Sequence, residues 1–404
     1  MDELPTALDV AALRRHFPQL ADGTAYFDGP GGTQTPDVVA DAVHDALLAP
    51  LSNRGTHTVA ARNADAITLA ARDAVGDLLG TSADTVVFGR SATELTFQLA
   101  RTLSRGWAPG DEVVVTRLDH DANVRPWVLA AEAVGALARW VPFDPMTGEL
   151  DPADVAAVVG PRTRVVAVTG ASNLIGTRPD LPAIAATAHE VGALLHVDGV
   201  HLAAHASVDV AATGADSFVC SPYKFLGPHC GVLTGRADLL ESLRPDKLLP
   251  SSDAVPERFE LGTLPYELLA GTTAAVDLLA GVVPSADATR RDRLVAGLSA
   301  VEAHEDRLRE RIEAGLVDLG FTVWSRAKLR TPTLLCTSSA IQPTALMHAL
   351  AERGVATTAG HMYAIETSCW LGLGDEGGLR IGTAPYTDDG DVDRLLDALA
   401  DCHP

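Results

Sequence analysis

From residue 85 to residue 234 the chain alternates short β-branched runs with longer Ala/Leu-rich segments of helical period. Candidate strands lie at 85–88, 112–116, 138–141, 164–168, 193–197, 217–220 and 231–234. Helical patterns at 93–103, 123–134, 151–159 and 181–191 fall between most of them. In the third, Asp151 can cap the helix, and Pro152 takes the first helical position, where a missing N–H costs nothing. This alternation predicts an α/β fold with a mostly parallel sheet of seven strands and helices on both faces. The near-continuous apolar run Val165-Val166-Ala167-Val168 fits a strand covered on both sides.

Beyond residue 262 the texture changes. A charged helical stretch at 290–319 reads as one or two solvent-facing helices. Strand-like segments follow at 322–324, 332–336 and 379–381, with helices at 343–353 and 391–399. The expected division is a large domain over 18–262 and a smaller α/β unit over 263–404. Residues 1–17, with a short helix at 9–17, form an arm packed on the smaller unit.

The formal charge of -22 repels phosphate backbones and anionic lipid headgroups. Neither a nucleic-acid partner nor a membrane partner is expected. The start of the chain has no basic segment leading into an apolar one, and five scattered cysteines form no CxxC pair. A cytoplasmic protein without a structural metal is expected. The basic residues carry a sharper message: only Lys224, Lys247 and Lys328 among the 31 are lysines. Chemistry that needs an amine has few places to occur.

Ligands of such sheets bind beyond the carboxyl ends of the strands. After the strand at 217–220 comes Ser221-Pro222-Tyr223-Lys224-Phe225-Leu226-Gly227-Pro228. A lysine among apolar residues tends to lose its proton, and a neutral amine can form a Schiff base. Lys247 and Lys328 look like solvated positions. Asp198 ends the strand at 193–197 and reads either as a helix cap or as a partner for a cation. Gly89-Arg90-Ser91-Ala92-Thr93-Glu94 opens a helix, whose free N–H groups suit an anion. His120, in Asp119-His120-Asp121-Ala122-Asn123, could stack on a flat ring or simply start a helix. Asn173 could donate to a ligand oxygen or occupy an ordinary turn. One ligand uses an amine, an acid, a flat ring, a donor and an anion cradle together: pyridoxal 5'-phosphate (PLP), whose ring serves as an electron sink.

These stretches carry a resemblance. Tyr26-Phe27-Asp28-Gly29-Pro30-Gly31-Gly32-Thr33, Asp119-His120-Asp121-Ala122-Asn123, Val197-Asp198-Gly199-Val200-His201, Ser221 to His229 and Phe259-Glu260-Leu261-Gly262-Thr263 resemble the class V (NifS-like) aminotransferase family in order and spacing. The chain is most similar to its cysteine desulfurase-like branch. The resemblance implies PLP-dependent transferase fold type I, with Lys224 carrying the cofactor and moving protons at Cα. It places Asp198 at the pyridine nitrogen, His120 on the ring, and His201 and Asn173 near the phenolic oxygen. Ala92, Thr93, Ser221 and Tyr223 would contact the phosphate. Thr263 would reach the phosphate of a neighbouring subunit in a homodimer with shared sites. Arg380 would bind the substrate carboxylate, and Arg54 and His57 would line the partner's active-site mouth.

One departure bears on the reaction. Where desulfurases of this type keep a mobile cysteine, this sequence has Tyr363, and Cys369 lies further on. A C–S lyase acting on cysteine or a cysteine S-conjugate is therefore the leading expectation. A transaminating, epimerising or decarboxylating enzyme is the alternative.

Overall fold

The computed structural model describes residues 7–284 and 288–402. The first six residues of the expected arm lie outside the described residues. Seven strands form the main sheet: β1 (Val87–Gly89), β2 (Glu112–Thr116), β3 (Leu137–Val141), β4 (Thr163–Thr169), β5 (Leu194–Asp198), β6 (Ser217–Cys220) and β7 (Gly231–Gly235). Their spatial order is β1-β7-β6-β5-β4-β2-β3. β7 runs antiparallel to both of its neighbours, β1 and β6, and the other six strands share one direction. The carboxyl ends of β1, β2, β4, β5 and β6 therefore meet at one edge.

Local chemistry explains where expected and observed bounds differ. The first strand begins at Val87 because Ala83–Thr85 is a 3-10 turn capped by Ser82. The helical pattern at 123–134 splits into a 3-10 turn, Asp121–Asn123, and the helix Arg125–Val134. Pro126 lacks a donor and is accommodated in that helix's first turn. The pattern at 151–159 yields only Pro152–Ala156, with Asp151 accepting from the Ala153 amide at 2.8 Å. β5 continues through Asp198, so its carboxylate is the last residue of a buried strand.

The charged stretch is one helix, Arg290–Asp318, started by a capping box between Thr289 and Asp292. A smaller antiparallel sheet follows: β8 (Thr322–Val323), β9 (Thr333–Thr337), β10 (Thr358–Gly360) and β11 (Gly378–Gly382), in the order β10-β11-β9-β8. Of the expected N-terminal helix, only Val10–Arg14 is α-helical, capped by Asp9. Arg14 ties it to the carboxylates of Asp388 and Asp391, beside the C-terminal helix Asp389–Cys402.

The smaller sheet has an apolar core of its own beside those on the two faces of the larger sheet. Ala25 and Phe27 are buried in this smaller core, and Ala25–Tyr26 pairs in parallel with Val355–Ala356. Leu269, Val276 and Leu279, from the helix Tyr266–Gly281, pack in one core of the larger sheet. The chain thus crosses between the cores more than once. Among the described residues, no helix is long and apolar enough to cross a membrane.

Candidate active site

The strand ends enclose a cavity walled by Ala92, Thr93, His120, Asn173, Asp198, His201, Ser221, Tyr223 and Lys224. These are nine of the sequence-selected residues, from five different strand ends. Lys224 closes the 3-10 turn Pro222–Lys224 after β6, and its Nζ donates to the Pro30 carbonyl. Burial and the nearby Arg380 cation lower its pKa to about 7, against the opposing pull of Asp198. A fraction of this amine is therefore neutral near pH 7. Asp198 accepts from the Val200 amide at 2.9 Å. Burial raises its pKa to about 6, offset in part by that hydrogen bond and by Lys224.

His120 is fixed by the Ala122 amide, which donates to its Nδ1 at 3.0 Å. Burial, together with Lys224 and Arg380, lowers its pKa to about 4, so the imidazole is neutral at physiological pH. Behind it, the buried Asp119 accepts from Thr116 and from Asn123 Nδ2, holding the loop between β2 and Arg125–Val134. His201 shares its Nε2 with the hydroxyls of Thr331 and Thr333, at 3.0 and 2.9 Å. Its buried Nδ1 has no partner, and neither does Oδ1 of Asn173. Buried polar atoms without partners are uncommon and point to a missing ligand group.

The start of the helix Ala92–Ser104 has the free amides that an anion cradle needs. Ser91 caps the Glu94 amide at 3.1 Å, and the first amides of the helix have no intrahelical acceptor. Gly231 on β7 makes this approach possible: a Cβ there would lie 2.2 Å from the Ser91 carbonyl carbon. Tyr223 stacks on His229, with ring centroids 4.8 Å apart and an interplanar angle of 13°. The donor set and the orphaned atoms fit PLP: an amine, a buried carboxylate, a neutral imidazole, two unpaired polar atoms and a helix N-terminus.

Arg380, on β11, stands just behind this wall. It donates to the Thr358 hydroxyl at 3.2 Å and to the Asn173 carbonyl at 3.0 Å. Burial lowers its pKa to about 10, and Asp28 opposes the shift. Tyr363 is exposed and is not part of the cavity wall, with its ring centroid 5.4 Å from that of His120. The remaining selected residues are not brought to this cavity. Arg54 pairs with Asp65 and Glu257 at 2.8 and 2.9 Å, and His57 is exposed. Thr263 faces a separate cleft with Arg90 and His229.

Sequence reasoning missed two contributors. The Pro30 carbonyl that receives Lys224 lies in Gly29-Pro30-Gly31, far from it in sequence. Asn173 turns out to have a second task, since its Nδ2 donates to the Met362 carbonyl at 2.9 Å. No local signal marks either contact.

The chain matches the family described as aminotransferase class-V over residues 25–395. A probable cysteine desulfurase of Streptomyces coelicolor is 32% identical over 99% of this chain and 98% of its own length. An aminotransferase-like protein of Gibberella zeae is 29% identical over 98% of both chains. Among solved structures, the cysteine desulfurase CsdA from Escherichia coli superposes with a TM-score of 0.86 at 28% identity, covering 97% of this chain and 98% of that one. With a family match spanning the site and both sheets, the chain belongs to the class V aminotransferase family and is a PLP-dependent enzyme.

Proposed function

We propose that this enzyme cleaves the Cβ–S bond of cysteine or a cysteine S-conjugate by β-elimination. The bound cofactor supplies the electron sink that makes a Cα proton removable. Arg380 binds the substrate carboxylate through a planar guanidinium already oriented by Thr358 and Asn173. Lys224, neutral above about pH 7, takes the Cα proton. The Cβ–S bond then breaks, a Cα–Cβ double bond forms, and the electron pair leaves on sulfur. The phenol of Tyr363, beside the neutral imidazole of His120, delivers a proton to that sulfur.

The observation that carries this reading is the identity of the residue beside His120. A persulfide relay needs a thiol that reaches the substrate sulfur, and the residue whose ring lies beside His120 is Tyr363, not a cysteine. Among the described residues, no cysteine lines the cavity. Cys369 lies on the short helix Ile365–Trp370, exposed to solvent.

Incubation of the holoenzyme with cysteine and with S-alkyl conjugates, followed by product identification, tests the proposal. Pyruvate, ammonia and free thiol are expected. Alanine with a persulfide on Cys369 would instead mean desulfuration, in line with the relatives named for that activity. A keto acid with pyridoxamine phosphate would mean transamination.

The active form is proposed to be a homodimer acting in the cytoplasm. Thr263, Arg54 and His57 lie away from the cavity of their own chain, as residues serving a neighbour's site would. The described cysteines are all free, which suits a reducing compartment. Sedimentation of the holoenzyme tests the dimer. Mixing Lys224→Ala with Thr263→Ala protein should restore activity through hybrid sites.

A further inference from the structure

The loop that carries His120 and the turn that carries Tyr363 are joined by a side chain that touches neither ring. Arg117 lies between two indoles, with its guanidinium carbon 5.3 Å from the Trp140 ring centroid and 4.9 Å from that of Trp370. Both separations fall within the range of cation–π attraction. Its Nη1 donates to Glu366, and its carbonyl accepts from the Thr367 hydroxyl at 2.8 Å. Trp370 is held in turn, its indole N–H donating to the Phe143 carbonyl at 2.7 Å. Arg117 itself follows β2, on the same loop as Asp119 and His120. Glu366, Thr367 and Trp370 belong to the helix Ile365–Trp370, which begins directly after the turn containing Tyr363.

That turn needs external support. Met362 and Tyr363 both have positive φ, 47° and 60°. Side chains other than glycine persist there only where the surroundings over-determine the backbone. Two carbonyl contacts hold the turn from the front: Asn173 Nδ2 to Met362 at 2.9 Å, and the Asp121 amide to Tyr363 at 2.8 Å. The Arg117 clamp holds it from behind, through the helix. Tyr363 remains 71% exposed, so packing against its own ring does not fix it.

We propose that Arg117 is a positioning residue for the C–S cleavage reaction. Clamped between Trp140 and Trp370, it locks the Tyr363 turn to the His120 loop, so that the phenol is held beside the His120 ring. The proposal rests on the elimination reading given above for the role of Tyr363. The clamp makes the Tyr363 turn rigid, where a travelling thiol would need a loose one.

The test combines hydrogen exchange with kinetics on the holoenzyme, using an S-alkyl cysteine as substrate. Arg117→Ala should raise the amide exchange rate across residues 361–370 by about tenfold or more, without changing cofactor absorbance. It should lower kcat by about tenfold while KM changes little, because misplacement of a catalytic group is felt in the transition state. In a Tyr363→Phe background the same substitution should cost almost nothing further, since the positioned group is already gone. Trp370→Phe keeps a ring for the guanidinium and should retain most of the activity, so it guards against a variant that fails to fold. Unchanged exchange at 361–370, or a kcat loss of equal size with and without the Tyr363 phenol, would overturn the proposal. If the wild type releases no thiol, the elimination reading fails, while the exchange measurement still decides whether the clamp fixes the turn.

Discussion

Asn173 Nδ2 donates to the carbonyl of Met362 at 2.9 Å, so one side chain of the cavity wall also holds the turn in front of the cavity. Its other polar atom, Oδ1, is buried and unpaired. Asn173→Ala removes the donor and leaves the Met362 carbonyl without its partner. The expected loss is about 1.5 kcal/mol, or roughly tenfold in kcat/KM, with the cofactor still bound. Steady-state kinetics beside an absorbance spectrum of the same sample checks this.

Lys224 makes a prediction about pH. Only the unprotonated amine attacks the aldehyde of the cofactor, and the pKa of that amine is lowered to about 7. The rate of cofactor capture by apoenzyme should therefore rise with pH through about 7 and then level off. Burial contributes most to the shift and the Arg380 cation comes next, so Arg380→Gln should move the midpoint upward. Stopped-flow absorbance measures both. Lys224→Ala should show no lysine-bound chromophore at any pH.

His196 makes a prediction about acid stability. It is buried in the sheet, with Nδ1 2.8 Å from the Ser217 hydroxyl and its ring against Trp127. Burial lowers its pKa from 6.5 to about 3. As pH falls below 6.5 the unfolded chain takes up this proton first. The stability associated with the neutral ring is therefore complete above 6.5 and is lost progressively as pH falls toward about 3. His196→Gln, which never carries charge, should show a shallower acid-side decline in urea titrations across that window. A slope unchanged from wild type would assign the decline to other groups.

His205 and Glu305 form a buried pair 2.8 Å apart, between the helix after β5 and the helix Arg290–Asp318. Removing one member strands the other in a dry interior. Glu305→Ala is expected to cost about 3 kcal/mol in chemical denaturation. Replacing both residues with apolar ones of similar volume should recover much of that loss.

Gly231→Ala tests the anion cradle without touching a ligand-binding side chain. The new methyl would meet the Ser91 carbonyl carbon at 2.2 Å and the Ala92 nitrogen at 2.5 Å, both backbone atoms. Either β7 or the helix start must move. The expected cost is about 1–3 kcal/mol of stability, with weakened cofactor retention on dialysis.

The larger sheet was legible because most of its strands are apolar on both faces and its helices are punctuated by caps. Glu112–Thr116 and Ser217–Cys220 fall where the residue pattern puts them. The cavity was legible to the extent that its residues follow strands, as Lys224, His120 and Asn173 do. What could not be read are pairings between distant positions. Nothing near Arg117 announces two indoles, and nothing near Pro30 announces an incoming lysine. Short strands such as Thr358–Gly360 also escape, because three residues carry no period. The helices Asp37–Leu48 and Val59–Leu79 precede the alternating segment, and Tyr266–Gly281, which packs on both, follows it, so no strand–helix alternation marks them.

The parallel pairing of Ala25–Tyr26 with Val355–Ala356 has a consequence for synthesis. Phe27 is translated before the larger sheet, yet its neighbours in the smaller core, such as Leu334, Leu350 and Val355, are translated after it. The nascent chain must carry this segment uncovered while the whole larger sheet is translated. The smaller core closes only when residues 334–356 come back to Ala25–Phe27.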